Sequence, residues 1–247
     1  MQAWITTSWD DGHPLDLRIA EMLDRHGLPG TFYIPRFIPS GVMSISQIRE
    51  LSKAFEIGGH TLDHVFLPTI PDPQAQIQIV GCRKWIEDSV GARCDMFCPP
   101  AGKFTRAHAE MIRRAGFLGL RSVELLATRP PRFVDGLMHM PTTLQAFPHP
   151  RWIYIKNGIK RRSWKSLARY LSLGAPADLE RLTEKLLRAV IQSGGVFHIW
   201  GHSWEIDRFD EWERVERVLK VISQFKHEAT LATNVELCRR HAGPIAV

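Results

Sequence analysis

The chain has 247 residues, of which 44% are hydrophobic and 23% charged, as in a globular protein that buries a sizeable core. No apolar stretch reaches the roughly 18 residues that a membrane-spanning helix needs, so no membrane span is expected. The sequence starts without a basic and apolar leader, so we expect a cytoplasmic protein. The length suits one large α/β domain or two small ones.

Short β-type runs alternate with amphipathic helices along most of the chain, which indicates βα units and a mainly parallel sheet. We predict a single-domain, TIM-like α/β barrel over 1–247. The alternative, a doubly wound open sheet, lacks a glycine-rich phosphate loop after the first strand. Residues 127–160 are interpreted as short strands and loops, and 127–177 as an insertion over the barrel mouth. The strands are predicted at 3–8, 30–34, 55–59, 96–98, 118–122 and 196–202, and 229–231 is a candidate for the last strand.

The net charge of +6 arises largely from a basic cluster in 156–169. Such a patch suits nucleic acid, an anionic lipid surface or a phosphorylated substrate, and it equally suits a solvated helix face. No nucleic-acid motif accompanies it, so no nucleic-acid partner is expected. The four cysteines contain no CxxC pair, which favours reduced, buried thiols over a zinc ribbon or a disulfide framework.

Polar side chains follow several predicted strands, where a barrel places its catalytic groups. Asp10 and Asp11 come directly after the first strand, where neighbouring side chains diverge, so one can bind a metal while the other accepts a proton. An ordinary turn is the alternative. His60 and His64 are four residues apart, and one helical turn would point both imidazoles the same way. With a carboxylate they suit a catalytic zinc site, although two surface histidines give the same spacing.

A late strand carries alternate polar residues on one face. His198, Trp200 and His202 share that face because strand side chains alternate. We interpret His198 as a hydrogen-bonded core residue. His202 lies beside Gly201 at the carboxyl end of the strand, where a proton donor is useful.

Four short motifs in this order resemble those of the polysaccharide deacetylases with the NodB homology domain (carbohydrate esterase family 4). The family's Thr-Phe-Asp-Asp-Gly box is similar to Ser8–Gly12, and its His-(Ser/Thr)-x-x-His box is matched fully by His60–His64. Its Arg-x-Pro-x-Gly box is matched in part by Cys98–Gly102, and its Leu-x-His box is similar to Trp200–His202. The resemblance implies a distorted (β/α)7 barrel.

The resemblance also implies roles for five residues. Asp10 would be the general base and His202 the general acid, while Asp11, His60 and His64 would bind a divalent metal, most often zinc. The metal would lower the pKa of its bound water and polarise the acyl carbonyl of an amide. Substrate and oxyanion contacts are expected from Pro100, Ala101, Arg121 and Trp200.

Two departures from the family pattern concern the charged partners of the acid and the base. Cys98 stands where the family has an arginine that orients the base, and Arg121 is our candidate for the missing cation. The family's Asp-x-x-Asp-Trp box has no clear counterpart, so Glu205 or Asp207 would partner the acid histidine.

The substrate expected from these features is an N-acylated amino sugar or glycan precursor. The sugar could be linked to a nucleotide, linked to a lipid, or free. Phosphate on the substrate would meet the cations of 156–169. A second hypothesis is hydrolysis of a non-sugar amide such as a cyclic imide or ureide. A third is a metal-binding or basic interaction module whose catalysis is weakened by the lost arginine. The sequence does not indicate the oligomeric state.

Overall fold

A curled, mainly parallel β-sheet with helices around it forms the body of the protein. The structure, a computed structural model, describes residues 2–242. Within them, no helix is both long enough and apolar enough to cross a membrane. The strands are β1 Ala3–Asp10, β2 Thr31–Ile34, β3 Glu56–Gly59, β4 Met96–Phe97, β5 Gly119–Arg121, β6 Arg132–Val134, β7 Leu137–Met140, β8 Leu144–Gln145, β9 Gly195–Gly201 and β10 Thr230–Leu231.

The order of the strands closes the sheet into a barrel. Neighbouring strands run β7-β5-β4-β3-β2-β1-β9-β8, and every pair in this series is parallel. The two ends of the series, β7 and β8, are separated by only residues 141–143, so one chain segment pairs with β5 and then with β9. Counting that segment once gives seven parallel positions. The predicted (β/α)7 barrel is therefore confirmed.

Ten helices accompany the strands in the described part of the chain. Side-chain caps set several of their starts: Ser44, Thr105 and Thr233 each accept a hydrogen bond from the backbone N–H three residues on, in capping boxes. The helices are α1 Asp16–His26, α2 Ile45–Leu51, α3 Asp72–Val90, α4 Arg106–Arg114, α5 Arg151–Lys160, α6 Trp164–Ser172, α7 Leu179–Ser193, α8 Ser203–Arg208, α9 Trp212–Ser223 and α10 Asn234–His241.

The apolar core has two parts. The larger part lies between the strands and the outer helices, as two packed layers require. The smaller part contains Trp4, Met96, Met138 and Val196 from the barrel strands and Leu237 from α10. Helix α10 therefore closes the base of the barrel, where the strands begin, and leaves the mouth, where the strands end, for polar side chains.

One prediction about local structure is wrong, and one helix was missed. Residues 151–160 form helix α5 and not strands and loops. The prolines at 141, 148 and 150 all precede the helix, and Pro150 occupies its N-cap position, so none of them interrupts it. Helix α8, which directly follows His202, was not predicted at all. The remainder of 127–177 contributes β6 to β8 and α6, and its description as an insertion over the mouth stays a prediction.

Candidate metal centre

The predicted site residues meet at the mouth of the barrel. Asp10 ends β1, and Asp11 follows it directly. His60 follows β3, Arg121 ends β5, and His202 follows β9. Because these strands are parallel, their carboxyl ends lie at one edge of the sheet and bring the side chains together.

Asp11, His60 and His64 converge on one point. The Oδ1 atom of Asp11 lies 3.3 Å from Nε2 of His60 and 3.0 Å from Nε2 of His64, and one ligand atom of each residue lies within 4.8 Å of the others. This Oδ1 is enclosed and has no hydrogen-bond partner within residues 2–242. Two imidazole nitrogens around an unpartnered carboxylate oxygen fit a divalent cation.

Neighbouring groups hold two of these ligands in orientation. The Nδ1–H of His60 donates to the carbonyl oxygen of Cys98 (2.6 Å), which leaves Nε2 as the free lone pair. The indole Nε1–H of Trp204 donates to Oδ2 of Asp11 (2.7 Å) and so directs Oδ1 toward the histidines. Burial alone would raise the pKa of Asp11, but the close imidazoles of His60 and His64 hold it well below its usual range. Asp11 is therefore ionised and can act as an anionic metal ligand.

The turn that brings His64 to this point is not helical, contrary to the expectation from the spacing of the two histidines. Residues 60–64 form a loop in which Thr61 has φ 58° and His64 φ 51°. The preceding Gly58 and Gly59 lie within β3 and do not form the turn. A Cβ on Gly58 would come within 2.6 Å of the Tyr33 ring, so this glycine is needed for packing.

Left-handed backbone conformations also separate the two aspartates. Asp11 has φ 81° and Gly12 φ 63°, so the chain turns sharply once β1 has ended. A Cβ on Gly12 would lie 2.5 Å from Cγ2 of Ile34, so the turn tolerates no side chain there. The predicted divergence of Asp10 and Asp11 follows from this turn, because Asp10 is still part of the strand and Asp11 is not.

Asp10 forms a buried ion pair with Arg121. The guanidinium Nη2–H donates to Oδ1 of Asp10, and both side chains are almost wholly enclosed. The guanidinium also packs against Tyr33 and Trp200, at 5.1 Å and 5.0 Å from the two ring centroids. Cys98, whose Sγ is 4.0 Å from Oδ2 of Asp10, is a neutral neighbour because burial raises the pKa of its thiol well above the usual value.

His202 lies at the rim and is hydrogen-bonded to Glu205. Nδ1 of His202 is 3.3 Å from Oε2 of Glu205, which also accepts a hydrogen bond from Nε2 of Gln145 (2.7 Å). Burial opposes the charged imidazole, but the Glu205 contact and the nearby aspartates outweigh it, so the pKa of His202 is raised. Asp207, the other candidate partner, instead accepts from Nε1 of Trp212.

The loop after β4 forms another part of the rim. Pro100 is buried, whereas Ala101 is exposed with φ 54° and turns the chain at this point. Trp200 is buried with its ring against Arg121, so it packs inside the barrel. Contacts of Pro100, Ala101, Arg121 and Trp200 with a substrate stay predictions.

Sequence reasoning missed the contacts of several residues that shape the site. Trp204 and Gln145 orient the metal ligand and the partner of His202, as described above. Asp16 is fully buried at the start of α1, and its Oδ1 accepts from the Ser203 hydroxyl (2.5 Å) next to His202. The position of Trp204 two residues after His202 was a usable signal. Gln145 and Asp16 are 60 and 187 residues from their contacts Glu205 and Ser203, and nothing in their sequence context marked these pairings.

The first half of the chain matches a known protein family. The family model described as polysaccharide deacetylase matches residues 2–120, the part of the chain that supplies Asp10, Asp11, His60 and His64. The resemblance inferred from the short motifs is thereby confirmed: this part of the chain carries the signature of the polysaccharide deacetylase family. No protein of curated function matches the sequence at a significant level.

Several solved structures share the fold along nearly the whole chain. A putative polysaccharide deacetylase from Mycobacterium smegmatis is similar with a TM-score of 0.68 and 13% identity, covering 98% of this chain and 91% of that one. The Xyl-CE4 domain of a multidomain xylanase from the hindgut metagenome of Trinervitermes trinervoides gives 0.58 and 14%, covering 98% and 92%. BA3943, a carbohydrate esterase family 4 pseudoenzyme from Bacillus anthracis, gives 0.56 and 15%, covering 96% and 66%.

Proposed function

We propose that the protein is a metal-dependent deacetylase that hydrolyses the acetamide of an N-acetylated amino sugar. The observation that carries the proposal is the enclosed, unpartnered Oδ1 of Asp11 between two imidazoles, beside a separate buried aspartate. A metal site next to an independent proton acceptor is what amide hydrolysis by water requires.

Asp11, His60 and His64 would hold the metal, and zinc is the best match to two histidines and one carboxylate. When bound, a divalent cation supplies Lewis acidity for the acyl carbonyl and for water. The anionic state of Asp11 and the fixed orientation of His60 both favour a divalent cation over a neutral ligand.

Asp10 would accept the proton of the attacking water. The Arg121 guanidinium holds Oδ1 of Asp10, which leaves Oδ2, beside the neutral Cys98 thiol, for this task. We infer that Arg121 takes the part of the family's motif arginine, although it comes from β5 and not from the loop after β4.

His202 would protonate the departing amine. Its raised pKa favours the imidazolium that a proton donor needs, and Glu205 fixes the ring through Nδ1, leaving Nε2 to face the amine. The backbone N–H of Ala101, with the buried Pro100 behind it, would complete the site by donating to the developing oxyanion.

The test is an acetate-release assay of zinc-loaded protein against N-acetylated sugars as free, polymeric, nucleotide-linked and lipid-linked forms. Turnover on one of these classes, lost in the Asp10→Asn variant and in metal-free protein, is the expected result. Turnover on cyclic imides alone would instead support hydrolysis of a non-sugar amide. Retained zinc without turnover on any amide would contradict the enzyme assignment and favour a metal-binding module like a family pseudoenzyme.

A further inference from the structure

We propose that helix α5 and the basic turn after it form a docking surface for an anionic lipid membrane. This inference does not depend on the deacetylase chemistry. It rests on the composition, exposure and pairing of side chains in 151–169, which the proposed mechanism does not use.

One face of α5 presents apolar side chains to solvent. Trp152, Ile155 and Ile159 are spaced three and seven residues apart, so they lie on one side of the helix. Trp152 is 55% exposed and Ile159 52%, and the three residues line a common shallow depression together with Lys156 and Lys160. An apolar stripe of this kind, edged by lysines, is typical of helices that lie in the membrane interface.

The opposite side of α5 fixes that orientation. Tyr154 and Gly158 are buried, and Tyr154 packs on Tyr170 of α6 with ring centroids 5.1 Å apart. A Cβ on Gly158 would lie 3.2 Å from Leu167, so the two helices are closely packed. The exposed stripe therefore cannot turn into the protein, and it needs an external apolar environment to be buried.

The charge of this segment selects the partner. No aspartate or glutamate occurs between Asp135 and Asp178. None of the ion pairs found in residues 2–242 includes a cation of this segment, although Arg161 lies close enough to Glu124 to help lower the pKa of that carboxyl. Most of the positive charge therefore has no ion-pair partner in this part of the chain. Uncompensated cations beside an exposed tryptophan favour anionic headgroups, with the ring at the headgroup level. Five of these cations belong to α5 and the turn after it: Arg151, Lys156, Lys160, Arg161 and Arg162.

A chain of contacts connects this surface to the mouth of the barrel. The Tyr154 ring lies 6.0 Å from that of His149, and Nε2 of His149 is 2.9 Å from Oε1 of Gln145. Gln145 donates to Glu205, the partner of His202. A docked membrane would thus lie beside the site, and a membrane-borne acetylated sugar as substrate follows only if the proposed function also holds.

The test is flotation of the purified protein with vesicles of phosphatidylcholine, with or without phosphatidylglycerol. We expect binding to the anionic vesicles only, weakened by salt. Because each cation near an anionic surface contributes about a fivefold gain in binding, Lys156→Glu with Lys160→Glu should lower the partition coefficient by at least roughly 30-fold. Trp152→Ser with Ile159→Ser should lower it by about tenfold or more.

A matched control is available on α3, where Ile77 is 63% exposed and Lys84 lies on the surface. Ile77→Ser with Lys84→Glu should leave flotation unchanged, and thermal melting should show all variants folded. Equal binding to neutral vesicles, no flotation of the native chain, or unchanged flotation of both α5 variants would overturn the proposal. Self-association lost in Trp152→Ser, without flotation, would also overturn it by assigning the surface to a second copy. Flotation needs no substrate, so its outcome is independent of the deacetylase assay.

Discussion

The bore of the barrel contains buried polar side chains at both ends, but the two ends use them differently. At the base, Asn234 of α10 accepts a hydrogen bond from Thr6 (3.0 Å) and donates one to Tyr33 (2.8 Å). At the mouth, Oδ1 of Asp11 and two nitrogens of Arg121 are enclosed without partners within the described residues. Polar groups are rarely buried unpaired, so the mouth is arranged for ligands and the base for stability.

Two buried histidines show the same contrast. His198 uses both ring nitrogens, Nε2 with the Ser8 hydroxyl at 2.8 Å and Nδ1 with the Pro141 carbonyl at 2.9 Å, as a hydrogen-bonded core residue does. Burial lowers its pKa to about 3 and keeps it neutral. His60 uses only Nδ1 and leaves Nε2 toward Asp11. One unsatisfied nitrogen distinguishes a ligand from a structural residue.

Removing ligands at the mouth should have the largest effect. Asp11→Ala, His60→Ala and His64→Ala should each lose the bound metal and lower kcat/KM by roughly 10³-fold or more. Asp10→Ala should keep the metal yet lose turnover by about 10²- to 10⁴-fold, because only the proton acceptor is gone. Metal content by elemental analysis and acetate release are the two measurements. Exposed His227 replaced by Ala serves as the control and should change neither. Full metal occupancy in the His60 and His64 variants would refute the ligand assignment.

Arg121→Met should have the next largest effect, because it leaves the Asp10 charge buried without a partner. Such losses cost about 3–5 kcal/mol, measurable as a lower free energy of unfolding in urea. Turnover should fall with metal content unchanged. Arg106→Met is the matched control: Arg106 pairs with Asp135 at the surface, where a pair contributes about 1 kcal/mol or less.

A second-site variant makes this prediction more specific. Cys98→Arg in the Arg121→Met background returns a cation to the family's usual position, next to the other oxygen of Asp10. Partial recovery of turnover is expected if Arg121 acts through Asp10. If Arg121→Met proves as stable and active as the native chain, Arg121 does not position the base.

Glu205→Gln should have a smaller effect, roughly a tenfold drop in kcat, because the His202 ring loses a charged partner but keeps a hydrogen-bond acceptor. Burial lowers the pKa of His202 and the Glu205 contact raises it, with a raised value as the net result. Without the Glu205 charge, the pKa of His202 falls, so the alkaline limb of the kcat–pH profile should move to lower pH. An unmoved alkaline limb would exclude Glu205 as the partner of the acid.

Much of this arrangement was predictable because the decisive signals are local in sequence. Strand ends followed by Asp10-Asp11 or by His60 and His64 are short patterns, and capping boxes such as Thr233 to Glu236 fix helix starts. Parallel pairing then brings strand ends together without further information. The barrel and the proximity of the metal triad follow from these features.

Features that depend on distant segments or on exact backbone angles were harder to predict. The left-handed Thr61 and His64 replace the helical turn that their spacing suggested. Helix α5 was obscured by the prolines before it, since proline disfavours helix interiors but suits a helix start. Gln145 contacts Glu205 across 60 residues of sequence, and the sequence around neither residue indicates this pairing.

The smallest effect is expected from Glu56 at the base of the barrel. Glu56 is the exception there, because one of its carboxylate oxygens is buried without a partner in the described chain, as at the mouth. Its Oε2 accepts hydrogen bonds from the Thr31 hydroxyl (2.7 Å) and the Val235 N–H (3.0 Å), but its Oε1 is enclosed without a partner in residues 2–242. Burial raises the pKa of this carboxyl to about 7, although the residue as a whole is partly exposed.

Because the folded-state pKa of Glu56 is higher than the unfolded value, its protonated form stabilises the fold at low pH. That contribution is complete below about pH 4.5 and is lost as the pH rises through about 7. Glu56→Gln stays neutral, so it should gain roughly 1–3 kcal/mol over the native chain at pH 8 but not at pH 4.5. Urea unfolding at both values measures this difference. Equal pH dependence in both chains would mean that Glu56 is ionised without penalty, and the base would then hold a charge as readily as the mouth does.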